Sequence, residues 1–64
     1  MIRFQTSDTI HYIKQENIKL LECPIQDDDI GKLEMVCGQR YSLKGSTLFK
    51  VLAQMKDEVN AKEN

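Results

Sequence analysis

Leu33–Met55, LEMVCGQRYSLKGSTLFKVLAQM, decides the architecture of this chain. In a strand begun at Lys32, Leu33, Met35 and Cys37 alternate with Lys32, Glu34 and Val36 until Gly38 breaks the run. Arg40 to Leu43 resumes the period of two, so the segment reads as a hairpin. Cys37-Gly38 or Gly38-Gln39 supplies its turn, glycine covering the positive φ that tight turns require. Tyr41 and Leu43 then face the core beside Leu33 and Met35. After Lys44 the period changes. Ser46, within Gly45-Ser46-Thr47, stands as an N-cap, and Leu48, Val51, Leu52, Met55 and Val59 follow at the spacing of one helical face. Phe49 and Ala53 extend this stripe on one flank, while Lys50, Gln54, Lys56, Asp57 and Glu58 cover the outside. Residues 60–64 carry no large apolar side chain and are expected to fray.

Upstream the pattern is less regular. Ile2 and Phe4 alternate with Arg3 and Gln5, the mark of a half-buried strand, and Thr6-Ser7-Asp8 is a turn signal. Thr9 to Lys14 follows as a second short strand whose two faces are both partly apolar, Ile10 and Tyr12 on one, His11 and Ile13 on the other. After the polar Gln15-Glu16-Asn17 comes the apolar run Ile18 to Ile25. Ile18 and Leu20 share one phase there, while Leu21, Cys23 and Ile25 share the other. A bulge near Leu20 and Leu21 reconciles the two, and Pro24, lacking a backbone donor, belongs at an edge or strand end. Gln26 to Gly31, with three successive aspartates, reads as the loop of a further hairpin. The expectation is an α+β fold: one small antiparallel sheet of four to five short strands packed against a C-terminal amphipathic helix, in a single domain over 1–64.

Composition narrows the functional classes. A chain of 64 residues builds one thin core. Scaffolds of this size without staples hold about 3–5 kcal/mol of net stability, so pairing with a second copy is an economical way to add buried area, and a homodimer is expected. A net charge of −1 denies the chain a general cationic field for nucleic acid. No run is long and apolar enough to span a membrane, the N-terminus has no signal-peptide pattern, and a cytoplasmic setting with reduced Cys23 and Cys37 is expected.

Leu33 to Met55 also resembles the small FlbD-like proteins of flagellar gene clusters, in which a strand, a glycine hairpin, a second strand and a serine-led helix follow in this order. Asp8-Thr9-Ile10-His11-Tyr12-Ile13 resembles the element before that hairpin, and the opening of LytTR-type DNA-binding domains. The chain departs from the first pattern by its Ile18 to Gly31 stretch, and from the second by ending soon after the helix and by not being basic. The resemblance implies the fold and places no functional residue.

Individual residues offer little chemistry. His11, Cys23 and Cys37 lack the close pairs that zinc sites use, so no metal is expected; if the strands carrying the two cysteines pair across the aspartate loop, their thiols become neighbours. Asp27-Asp28-Asp29 does not alternate its carboxylates as calcium loops do. Lys44-Gly45-Ser46-Thr47 lacks the upstream glycine of a phosphate loop and reads as a helix start, able at most to attract an anion weakly. His11 with Cys37 or Ser42 is the one conceivable catalytic set, on a chain too small to spare a pocket, so neither enzyme activity nor a cofactor is expected. There remains a non-catalytic protein-binding or regulatory module with an unidentified protein partner, a role compatible with a phage- or plasmid-encoded inhibitor. Phe4, Tyr12 and Tyr41 are its candidate contacts. The alternative is a transcription-linked nucleic-acid binder using Arg3, Lys14, Lys19, Arg40, Lys44 and Lys50, provided these converge on one face.

Overall fold

The computed structural model describes the backbone of residues 1–63 and the side chains of residues 1–58. Strands β1 (Ile2–Gln5) and β2 (Ile10–Ile13) are followed by a 3₁₀ turn at Gln15–Asn17, then β3 (Ile18–Glu22), β4 (Ile30–Met35), β5 (Arg40–Lys44) and helix α1 (Gly45–Glu63). The fold is α+β. Its strands form two antiparallel sheets rather than one: a β1-β2 hairpin and a β3-β4-β5 meander, with α1 packed against β1, β4 and β5. The break comes between β2 and β3, where the Lys14 carbonyl accepts from Asn17 N–H (3.0 Å) and turns the chain out of the first ladder. The Val59 side chain and Asn64 lie outside the described residues; of the 60–64 segment expected to fray, the backbone runs as helix to Glu63.

The core follows the alternation read from sequence. Ile2 and Phe4 of β1, Leu33 and Met35 of β4, Leu43 of β5, and Leu48 and Val51 of α1 are buried together. Ile13, Ile18, Leu21, Cys23, Tyr41 and Met55 pack around them. Each fully buried aliphatic side chain here contributes about 1.5–3 kcal/mol. Leu52 and Phe49 lie at the half-buried margin of the helical stripe, and Ala53 is exposed.

The expected bulge exists. The β3–β4 register shifts between Ile18, opposite Met35, and Leu20, opposite Glu34, so Lys19 is the extra residue. Leu21, opposite Leu33, thereby turns inward and Leu20 outward, which resolves the phase conflict in the run. In the β4–β5 hairpin, Gly38 N–H bonds the Met35 carbonyl (2.9 Å) and Met35 N–H bonds the Gln39 carbonyl (2.8 Å). The turn is therefore centred on Val36 and Cys37, with Gly38 at φ +99° as the bulge residue that follows.

The start of α1 differs from the expectation of a Ser46 cap. The helix begins at Gly45, directly after β5, and its leading amides are taken by the β3–β4 loop: Gly45 N–H donates to the Asp29 carbonyl (2.9 Å) and Ser46 N–H to the Asp27 carbonyl (3.2 Å). The loop lies so close that a Cβ on Gly45 would stand 2.8 Å from both the Gln26 carbonyl oxygen and Pro24 Cγ. Asp27 and Asp29 thus cap the helix through their backbone carbonyls. The first two amides of the helix are thereby occupied from within the chain, in keeping with the reading of Lys44-Gly45-Ser46-Thr47 as a helix start.

Candidate functional site

The hydrogen-bond phase of each ladder shows which backbone groups face outward. Thr6 N–H bonds the Thr9 carbonyl (2.8 Å), so the 6–9 pair is a bonded pair. In an antiparallel ladder bonded and non-bonded pairs alternate, which makes Phe4↔His11 and Ile2↔Ile13 bonded, and Gln5↔Ile10 and Arg3↔Tyr12 non-bonded. The N–H and C=O groups of Arg3 and Gln5 therefore point away from β2, and those of Ile10 and Tyr12 point away from β1.

Three of the four sheet edges are guarded. On β1, the Gln54 amide of α1 closes both outward groups of one residue: Arg3 N–H donates to Gln54 Oε1 (2.8 Å) and Gln54 Nε2 donates to the Arg3 carbonyl (2.7 Å). Gln54 Nε2 also reaches the Lys50 carbonyl (3.2 Å), and one turn further Glu58 pairs with the Met1 ammonium. On β3 the bulge at Lys19 disrupts the edge. On β5 the same phase argument, anchored on Met35 N–H to the Gln39 carbonyl, turns Arg40, Ser42 and Lys44 outward, two of them cationic. The fourth edge, β2, is regular and uncharged over Ile10–Ile13. Among the described residues no group bonds the outward N–H and C=O of Ile10 and Tyr12. Ile10 is 44% exposed and Tyr12 63%.

The expected contact residues separate on this frame. Phe4, at 3% exposure, is a core residue rather than a contact, because its ring stacks on His11 (centroids 4.6 Å, 11°) and meets Tyr41 edge-on (5.3 Å). Tyr41 is half-buried, also edge-on to His11 (5.2 Å), so this trio joins the two sheets across the core. Tyr12 alone of the three is well exposed. Ile10, its neighbour on the same face of β2, was not singled out from the sequence, although it shares the phase of Tyr12 in a segment whose two faces are both partly apolar.

The six cations do not share one face. Lys19 (3.5 Å) and Arg40 (3.2 Å) both pair with Glu34 on the outer face of the three-stranded sheet, and Lys44 lies on that sheet too. Arg3 is on β1, Lys14 follows β2, and Lys50 is an exposed residue of α1, on the other side of the meander. Cys23 and Cys37 are free thiols, half-buried and exposed respectively. Their strands do pair, but antiparallel register sets Cys23 beyond Glu22↔Lys32 and Cys37 beyond Ile18↔Met35, at opposite ends of β4, so the thiols are not neighbours. Among the described residues no group of three or more His, Cys, Asp or Glu could hold a metal ion, and no helix is long and apolar enough to cross a membrane.

The site is therefore an edge strand of a small α+β protein with exposed apolar side chains and, among the described residues, backbone groups that nothing bonds, the geometry against which an extended chain can pair. Comparison with protein-family models, curated proteins and solved structures finds no match to this chain.

Proposed function

We propose that this protein is a non-catalytic binding module that acts by adding a strand of a partner protein to β2. The observation that supports this most is the contrast among its edges: β2 is free, regular and flanked by exposed Ile10 and Tyr12, while the others are plugged, bulged or charged. In strand addition the backbone groups of Ile10 and Tyr12 supply affinity, and the two side chains supply selectivity. The small core favours association with further surface, including a second copy. The free thiols favour a cytoplasmic setting, where they stay reduced.

The test compares proteins captured from the source cell by wild-type, Ile10→Pro and Tyr12→Ala baits. Proline at position 10 deletes an outward N–H without removing a β1–β2 hydrogen bond, so the hairpin is retained and strand addition is lost. Partners retained by wild type and released by both variants are expected. Identical capture by all three baits would refute the reading.

A second reading, nucleic-acid contact, is favoured by one observation: Lys32 and Lys44 lie with Lys19 and Arg40 on the outer face of the meander, against Glu22 and Glu34. Retention on nucleic acid at low salt, falling steeply as salt rises, is its signature. A chain not retained even at low salt excludes it.

A further inference from the structure

We draw no further inference here: the strongest candidate, the exposed apolar surface of Ile10 and Tyr12 along the β2 edge, carries nothing beyond the strand addition already proposed, because nothing in the structure shows what covers it.

Discussion

Replacing Gln54 by methionine isolates the device that closes the β1 edge. Methionine matches glutamine in length and helix propensity, so the change removes the amide while nearly preserving volume and helix. Two hydrogen bonds to Arg3 are lost, of 2.8 and 2.7 Å. Intramolecular hydrogen bonds contribute about 0.5–1.5 kcal/mol each net of water, and the exposure of this pair lets water replace part of them, so a loss of about 1–2 kcal/mol is expected. In a chain holding about 3–5 kcal/mol in all, that is a large share. At about 4–8 °C per kcal/mol for a domain of this size, the melting midpoint should fall by about 4–16 °C, measured by calorimetry. Amide hydrogen exchange supplies the local readout: Arg3 N–H should lose protection, while Phe4 N–H, bonded within the hairpin, should keep the protection that remains for the whole fold. Gln54→Glu should be no more stable than the methionine variant at neutral pH, because a carboxylate can accept from Arg3 N–H but opposes the Arg3 carbonyl. If Gln54→Met melts with wild type and Arg3 N–H exchanges unchanged, the amide does not hold the edge and the reasoning is wrong.

Two further substitutions test the local readings by the sign or contrast of their effects. Gly45→Ala would ordinarily strengthen a helix interior by about 0.8–1 kcal/mol, but here the added Cβ meets the Gln26 carbonyl and Pro24, so the variant should melt below wild type, and melting above it would show that the loop is not docked. The bulge at Lys19 predicts that Leu20→Ser changes stability by under about 0.5 kcal/mol while Leu21→Ser costs about 2 kcal/mol or more; equal effects in urea denaturation would contradict the inward turn of Leu21.

The elements legible from the sequence are those whose pattern has one dominant cause. Leu33, Met35, Leu43, Leu48 and Val51 are buried because a period of two and then of 3.6 points them at a single core, and both periods stand in the chain. The Ile18 to Ile25 run announced its bulge through its own broken phase. What stayed hidden depends on pairs distant in sequence. Ser46 looked like a cap because its type favours one locally, yet the groups that satisfy the helix start are the carbonyls of Asp27 and Asp29, and any residue type could have supplied them. Gln54 looked like an ordinary outward residue, and nothing near it in sequence names Arg3 as its partner, 51 residues away. Phe4 and Tyr41 looked available as contacts because a strand ring is buried or exposed according to which sheets meet over it, and the trio with His11 forms only when the two hairpins come together.

The apolar outer face of β2 is the remaining case, and the cost of exposing it bears on function. An unguarded regular edge invites uncontrolled strand pairing, and this fold has closed or charged the alternatives with an amide, a bulge and cations. A lysine at position 10 or 12 would have guarded β2 without disturbing the core, since both side chains point away from it. Isoleucine and tyrosine favour the strand by their own propensity and stand opposite Gln5 and Arg3 across the hairpin; under the proposed strand addition the same two side chains also give a partner its apolar contact.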